Sequence, residues 1–93
     1  MEFRHLRCFL MLAEELHFGR AALRLAMTQP PLSVAIRQLE ASVGAQLFVR
    51  SSKSVQLTAA GRALLPEAQA RLARARHAMQ MAQDVAQWQA GSL

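Results

Sequence analysis

Apolar residues recur at intervals of three and four along the first part of the chain, which is the spacing of amphipathic helices. The first run, Phe3, Leu6, Phe9, Leu10 and Ala13, predicts a helix over residues 3–15. Leu16 and His17 interrupt the pattern. A shorter run predicts a second helix over residues 18–25, with Phe18, Ala22 and Leu25 on one face. Because Gly19 near its start has no side chain, we expect a weakly capped N-terminus.

A third helix is predicted over residues 29–43, with an apolar stripe formed by Leu32, Ile36, Leu39 and Val43. Pro30 and Pro31 suit its first turn, where backbone N–H groups have no intrahelical acceptor and a fixed φ is favourable. Thr28 is a natural N-cap, but a residue before proline avoids the α region, so Gln29 is the alternative cap. Gly44 suits the C-terminal end.

The face of this helix opposite the stripe carries Val34, Arg37, Gln38 and Ala41, with Ser33 beside it. The prolines therefore start the helix rigidly and present Gln29, Ser33, Val34 and Arg37 away from the core. Gln29 has two interpretations, a hydrogen bond to a base edge or a capping hydrogen bond. Arg37 also has two, a contact to DNA or a surface ion pair with Glu40 one turn later.

The segment "LFVRSSKSVQLT" changes to an alternating period. Leu47 and Val49 alternate with Phe48 and Arg50, and Val55 and Leu57 alternate with Gln56 and Thr58. Two short strands around the polar tip Ser51–Ser54 are typical of a β-hairpin. The tip is basic and rich in hydroxyl groups, which suits contact with phosphate.

A long helix is predicted from Thr58, its cap, to about Ala90, and about thirty-two residues at 1.5 Å each would form a rod of ~48 Å. Pro66 lies inside it and should bend it. Apolar residues with the alternating three-and-four steps of a coiled-coil seam predict a dimer interface: Leu65, Ala68, Leu72, Ala75, Met79, Ala82 and Ala86. The alternative is a helix that packs back on its own domain.

Positive charge is concentrated in the middle of the chain. The net charge is +5, and residues 16–62 carry Arg20, Arg24, Arg37, Arg50, Lys53 and Arg62 against Glu40 alone. A localised basic surface is typical of nucleic-acid-binding proteins. The alternative is a solvated basic face without a partner.

Other function classes find no support in the sequence. Cys8 is the single cysteine and falls in the apolar stretch of the first helix, where a core position is expected. The histidines His5, His17 and His77 share no ligand spacing, so no metal site or other cofactor is predicted. No nucleophile–base pair or phosphate-binding loop argues for an enzyme. The charged start and the short apolar run Cys8–Ala13 predict a cytoplasmic protein without membrane association.

The exact order of the residues is a more specific guide to the type of protein than the apolar periodicity is. The segment "FLMLAEELHFGRAALRLAMTQPPLSVAIRQLEASVGAQLFVR", followed by "LTAAG", resembles the amino-terminal domain of LysR-type transcriptional regulators, and the similarity extends without gaps over residues 3–65. It rests on the pair Ala21–Ala22, Gln29–Pro30, Ser33, "RQLE" at 37–40, Gly44, "LF" at 47–48, Arg50 and "LTAAG" at 57–61.

The resemblance implies a mainly α fold with a small β-hairpin, a winged helix-turn-helix followed by a long dimerisation helix. Its parts would be a DNA-binding domain over 1–58, a linker helix over 59–90, and over 91–93 the start of a hinge to an effector-binding domain that senses a small molecule. Helix 29–43 would enter the major groove and the wing, residues 50–54, would contact the backbone or minor groove. The expected partners are a second copy, bound through the linker helix, and double-stranded DNA with a near-palindromic operator.

Combining the outward face, the charge and the resemblance, we predict a DNA-contacting set that comprises Arg20, Thr28, Gln29, Pro30, Pro31, Ser33, Val34, Arg37, Arg50, Ser51 and Lys53. Two positions depart from the family pattern. Val34 stands where Arg is frequent, so it offers only apolar contact, and Gly19 stands where Ser or Thr is frequent. A protein-interaction module with an incidental basic surface remains the alternative function.

Overall fold

The computed structural model describes residues 2–91, which form four helices and one two-stranded antiparallel sheet. The helices are α1 (Phe3–Glu15), α2 (Phe18–Arg24), α3 (Gln29–Val43) and α4 (Ala59–Gly91), and the strands are β1 (Phe48–Arg50) and β2 (Val55–Leu57). Phe48 pairs with Leu57 and Arg50 with Val55. The order of elements confirms the predicted mainly α winged helix-turn-helix with a long last helix. Residues 92 and 93 of the predicted hinge lie outside the described part.

The core forms where α1 packs against α2, α3 and α4. Its largest fully buried side chains are Phe9, Leu12, Leu32, Ile36, Leu39 and Leu47. The Phe9 and Phe48 rings have centroids 5.5 Å apart at an angle of 54°, which joins the hairpin to the helical core. Each such side chain contributes roughly 1.5–3 kcal/mol by its burial. Cys8 is buried as predicted, and this burial raises the pKa of its thiol.

The connection from α1 to α2 corrects one expectation. Leu16 ends α1 in the left-handed region at φ 51°, and His17 then precedes α2 in an extended conformation. The ring Nδ1 of His17 accepts a hydrogen bond from the backbone N–H of Arg20 at 3.0 Å. The N-terminus of α2 is therefore capped by a side chain, and the expected weak cap at Gly19 is wrong because His17 supplies the acceptor.

The turn between α2 and α3 places the two helices in contact. Helix α2 ends at Arg24, one residue earlier than predicted, and Leu25 caps it. Ala26 adopts φ 55°, and the N–H of Met27 reaches back to the carbonyl oxygen of Ala22 at 3.0 Å. A left-handed residue with this backward hydrogen bond is a compact way to reverse the chain after a helix.

Helix α3 starts and ends near the predicted residues. Thr28 is the N-cap residue in an extended conformation, although its side chain makes no capping hydrogen bond. Gly44 ends the helix at φ 81°. Leu32, Ile36 and Leu39 are buried as predicted, but Val43 is 47% exposed. The predicted stripe is wrong at Val43 because the last turn of α3 extends beyond the packed core.

The hairpin forms as predicted, and its first strand turns Phe48 toward the core. Phe48 is 2% exposed, whereas Val49 is 53% exposed. Leu47 is itself fully buried, just before the strand begins. Packing of the Phe48 ring against Phe9 determines the inner face, because the larger side chain gains more from burial.

Helix α4 begins with a side-chain cap and a close contact. The Thr58 hydroxyl accepts from the N–H of Gly61 at 3.0 Å and donates to the carbonyl oxygen of Gln46 at 2.7 Å. Gly61 is buried against the backbone of Leu47 and the side chain of Leu57. The start of the long helix is therefore fixed directly to the segment that leads into the wing.

The rest of α4 divides into two halves. Ala68 is fully buried and Leu65 packs on the core, whereas every residue from Arg76 to Gly91 is exposed. Ala68, a residue of the predicted dimer seam, is therefore covered by the chain's own core. The protein measures 59 Å along its longest axis. None of the described helices combines the length and apolar character needed to cross a membrane.

The packing at Gly61 generates a test of the fold. A methyl group in the variant Gly61→Ala would overlap the carbonyl oxygen of Leu47 and the Leu57 side chain. We expect this variant to lower the free energy of unfolding by about 1–3 kcal/mol, the usual cost of overpacking. Urea unfolding followed by circular dichroism measures the change. Gly91→Ala is the matched control, because a methyl group there meets nothing within 4 Å; equal stability of the two variants would contradict the described packing.

Candidate nucleic-acid interface

The N-terminal turn of α3 is exposed while the opposite side of the helix is buried. Gln29, Pro30 and Pro31 are exposed, Val34 is 41% exposed, and Arg37 lies on the same outward side. Thr28 is also exposed, whereas Ser33 is half-buried. This division follows from the helical repeat, since the core contacts of Leu32 and Ile36 direct the intervening positions to solvent. The structure therefore presents a rigid, proline-initiated turn to a potential partner.

A buried histidine supports the same helix from α1. His5 is 6% exposed, and its Nε2 lies 2.9 Å from Oε1 of Gln38. The pattern of the sequence gave no sign of this contact, because the two residues lie 33 positions apart in the chain. The hydrogen bond ties the middle of α3 to α1 and orients the Gln38 side chain.

The start of α2 lies beside the start of α3. A side-chain carbon placed on Gly19 would be 3.0 Å from the His17 ring and 3.5 Å from Nε2 of Gln29. A larger residue would press on the ring that caps α2. Glycine at this position is thus explained by the His17 cap, which the local sequence pattern did not indicate. Gln29 and the first turn of α2 share one surface.

The wing tip forms a compact polar turn. The N–H groups of Lys53 and Ser54 lie 3.3 and 3.1 Å from the hydroxyl oxygen of Ser51, and the backbone N–H of Ser51 donates to the carbonyl oxygen of Ser54 at 2.9 Å. All tip residues are exposed. The Ser51 hydroxyl is thus occupied within the turn, while the Lys53 side chain extends to solvent.

Arg50, at the end of β1, is held on the protein surface. Its guanidinium carbon lies 4.9 Å above the centroid of the Phe18 ring, and Nη2 is 3.5 Å from Oε1 of Glu40. Its side chain is 34% exposed. The predicted DNA contact at Arg50 therefore involves a side chain that already has two partners within the protein.

Glu40 forms contacts different from those anticipated. Its Oε2 accepts hydrogen bonds from the N–H of Leu47 at 2.8 Å and of Phe48 at 3.4 Å. The alternative in which Glu40 pairs with Arg37 is wrong, because the carboxylate points to β1 instead. Within residues 2–91, Arg37 forms no ion pair, so its charge stays available on the outward face of α3.

Ion pairs change the distribution of the positive charge. Arg24 contacts Glu14 at 2.9 Å and Glu15 at 2.7 Å, and Arg20 contacts Glu15 at 3.3 Å. The end of α1 therefore compensates two of the six basic side chains between residues 16 and 62, and Glu40 compensates a third. Arg20 remains 61% exposed, but it is directed toward Glu15.

The exposed half of α4 carries a second candidate surface. Met79, Met81, Val85 and Trp88 are 55%, 52%, 54% and 73% exposed. Of the predicted seam, Leu72 and Ala75 are half-buried, and Met79, Ala82 and Ala86 are exposed. Met81, Val85 and Trp88 lie outside the predicted seam, so the heptad spacing alone did not indicate them. Exposed apolar residues in such a group are typical of an interaction surface.

Comparisons with known proteins agree with this geometry. Residues 3–62 match the family described as "Bacterial regulatory helix-turn-helix protein, lysR family". The chain is 49% identical over 88 residues to the HTH-type transcriptional regulator XapR of Escherichia coli (strain K12), covering 95% of this chain and 30% of XapR. It thus spans about a third of the length of this curated relative.

Solved structures resemble the whole described fold. The crystal structure of the CbnR_DBD-DNA complex aligns with a TM-score of 0.87 at 38% identity, covering 92% of this chain and 99% of that one. The crystal structure of the BenM_DBD/catB site 1 DNA complex aligns with a TM-score of 0.88 at 38% identity, covering 92% and 97%.

The ion pairs of Glu15 generate a pH-dependent prediction. Hydrogen bonds from Arg24, and secondarily from Arg20, lower the pKa of the Glu15 carboxyl against the opposing effect of burial. A carboxyl with a lowered pKa in the folded state stabilises the protein above its unfolded pKa, about 4.3, and this contribution is lost as the pH falls through the lower folded value. We therefore expect urea unfolding between pH 7 and pH 3 to show a weaker pH dependence in Glu15→Gln than in the parent chain.

The control for this experiment is Glu67→Gln on α4. Glu67 is exposed and forms no ion pair among residues 2–91. This variant should keep the pH dependence of the parent chain. An identical pH dependence for the parent chain and Glu15→Gln would contradict a stabilising role of the Glu15 pairs.

Proposed function

Because the chain belongs to the lysR family of bacterial regulatory helix-turn-helix proteins, we propose that it binds double-stranded DNA sequence-specifically as the DNA-binding part of a transcriptional regulator. The observation that carries this proposal is the exposed first turn of α3, where Gln29, Pro30 and Pro31 face solvent. The other side of the helix buries Leu32, Ile36 and Leu39. An α-helix presented in this way fits the major groove, which is about 12 Å wide. The similarity to two structures of DNA complexes supports the same docking.

Specificity comes from a few side chains on the outward face of α3. Gln29 offers a donor and an acceptor that match the edge of adenine. Val34 contributes apolar contact, for which the thymine methyl group is the natural partner. Pro30, Pro31, Thr28 and Ser33 contact sugar and phosphate beside these bases, and Arg37 binds a base or a phosphate.

The wing supplies contacts that do not depend on sequence. Lys53 is exposed at the tip and forms no ion pair among the described residues, so its charge is available to the DNA backbone or the minor groove. Ser51 and the neighbouring backbone N–H groups lie beside it. Arg20, although directed toward Glu15, is exposed enough to approach phosphate at the edge of the same surface.

A second copy binds through α4. The exposed half of the helix has apolar residues that the described chain does not cover. This half extends away from the part formed by α1, α2, α3 and the hairpin, which we call the head. Leu72, Ala75, Met79, Ala82 and Ala86 form the proposed seam, with Leu65 at its edge. Two heads joined in this way would contact two half-sites about one turn of DNA apart, ~34 Å or a multiple, on a near-palindromic operator.

Membership of the family supports a proposal for the wider role. The regulator acts in the cytoplasm, has no enzymatic activity in this part, and senses a small-molecule effector through a separate domain. A simple protein-interaction module would account for the exposed apolar residues of α4. It would not account for an exposed proline-initiated turn beside the uncompensated charges of Arg37 and Lys53.

Selection from random duplex DNA tests the proposal, with Gln29→Ala as the informative variant. The parent chain should enrich a motif with two-fold symmetry. Gln29→Ala should enrich a motif with less information at one position of each half-site, because a good base contact discriminates by about 1–3 kcal/mol while the phosphate contacts remain. Gln87→Ala, an exposed glutamine on α4, should leave the motif unchanged. Failure of the parent chain to enrich any motif would reject sequence-specific binding.

Met79→Glu tests the proposed dimer. Met79 is 55% exposed, so the substitution should not disturb the fold of the head, but it would place two carboxylates in the seam. We expect sedimentation equilibrium to show at least a tenfold weaker dimer and an unchanged circular dichroism spectrum. Gln87→Glu adds the same charge on another side of the exposed half and should dimerise like the parent chain. Equal dimer affinities for Met79→Glu and the parent chain would place the interface elsewhere.

A further inference from the structure

Three elements of the candidate interface meet at one pair of charged side chains. Glu40 lies in the fourth turn of α3, and its two carboxylate oxygens have different partners. Oε2 accepts the N–H of Leu47 at 2.8 Å and of Phe48 at 3.4 Å, whereas Oε1 is 3.5 Å from Nη2 of Arg50. The carboxylate therefore connects α3, the proposed recognition helix, to both ends of β1: to Leu47 and Phe48 at its start and to Arg50 at its end.

Arg50 extends the connection to α2. Its guanidinium carbon lies 4.9 Å from the centroid of the Phe18 ring, which is the first residue of α2. A planar cation over an aromatic face is attracted by the ring, and the flat guanidinium can use its edge for the carboxylate at the same time. We call this set of residues, Phe18, Glu40 and Arg50, the wing clamp.

Phe48, Val55 and Leu57 pack the base of the wing on the core, whereas the residues of its tip are exposed. Each strand has three residues, and a short two-stranded hairpin is marginal by itself in water. The tip from Ser51 to Ser54 is exposed, and its hydrogen bonds run within the turn itself. Arg50 directly precedes this tip, so it is the last position at which the structure attaches β1 to the helices.

We propose that Glu40 and Arg50 are positioning residues that hold the wing beside the recognition helix, so that Lys53 reaches the DNA backbone while Arg50 itself does not bind DNA. This inference rests on the proposed function and revises the DNA contact assigned to Arg50 by the sequence. Both partners of Arg50 lie within the protein, and a phosphate would compete with Glu40 and Phe18 for the guanidinium. The positive charge at the tip is then contributed by Lys53.

A double-mutant cycle between Arg50→Met and Lys53→Ala separates positioning from direct contact. The probe is the duplex that the parent chain selects from random DNA. Lys53→Ala alone should weaken binding roughly tenfold for a dimer and flatten the log–log salt dependence by about one unit per wing. In the Arg50→Met background, where the wing is no longer fixed, Lys53→Ala should weaken binding less than threefold. Independent effects, with each substitution flattening the slope by one unit per wing, would show that Arg50 binds phosphate and would overturn the proposal.

Conservative variants sharpen the distinction. Arg50→Lys keeps the charge but loses the planar group over Phe18, so it should behave like Arg50→Met if the residue positions the wing and like the parent chain if it only supplies charge. Glu40→Gln should weaken binding as well, whereas a phosphate-binding Arg50 released from its carboxylate would bind DNA more tightly. Arg74→Met removes an exposed charge from α4, far from the clamp, and serves as the control for net charge.

Amide hydrogen exchange, measured without DNA, tests the wing clamp independently of binding. Amide hydrogen exchange of Leu47 and Phe48 should be at least tenfold faster in Arg50→Met than in the parent chain, while the amides of α1 keep their protection. Unchanged exchange in the hairpin would reject the clamp, whatever the binding data show. If the parent chain selected no DNA but hairpin exchange responded as expected, the proposed function would fail and the clamp would stand as a feature of the fold.

Discussion

Burial of one face of α1 is the constraint on which the remaining structure depends. Phe9 and Leu12 are fully inaccessible to solvent, and α2, α3 and α4 all pack against their helix. The Phe48 ring reaches the same place from the hairpin. Because so short a chain can bury only a thin core, each element contributes few buried side chains, and a single central helix must serve all of them. The positions of the recognition helix and of the wing both follow from this arrangement.

The same packing determines which side chains the head exposes to solvent. Once Leu32, Ile36 and Leu39 are buried, the helical repeat presents Gln29, Val34 and Arg37 to solvent. The left-handed turn at Ala26 brings α2 beside the start of α3, and Arg50 then links the hairpin to α2 through Phe18. The candidate interface is thus continuous because three connections, each made by different interactions, join neighbouring elements.

Ion pairs within the fold leave fewer unpaired basic side chains than a count of arginines and lysines in the sequence suggests. Arg20 and Arg24 are directed toward the carboxylates at the end of α1, and Arg50 is directed toward Glu40. Ion pairs whose arginine lies at the protein surface contribute little to stability, typically less than about 1 kcal/mol. Their greater effect here is to orient side chains, which leaves Arg37 and Lys53 as the cations of α3 and the wing that are most available to an anionic partner.

The sequence by itself determined the order of the elements, the rigid start of α3 and the outward placement of Gln29, because these features depend on local spacing, on proline geometry and on the helical repeat. It also determined the family through a long ordered set of residues that local physics does not require. The inner face of β1, the cap supplied by His17 and the burial of Ala68 were decided by tertiary structure. Each depends on a side chain or backbone group from a different part of the chain: Phe9 for Phe48, the α2 backbone for His17, and the packed head for Ala68. The partners of Arg50 belong to the same class, since Phe18 and Glu40 meet only when α2, α3 and the hairpin are folded together.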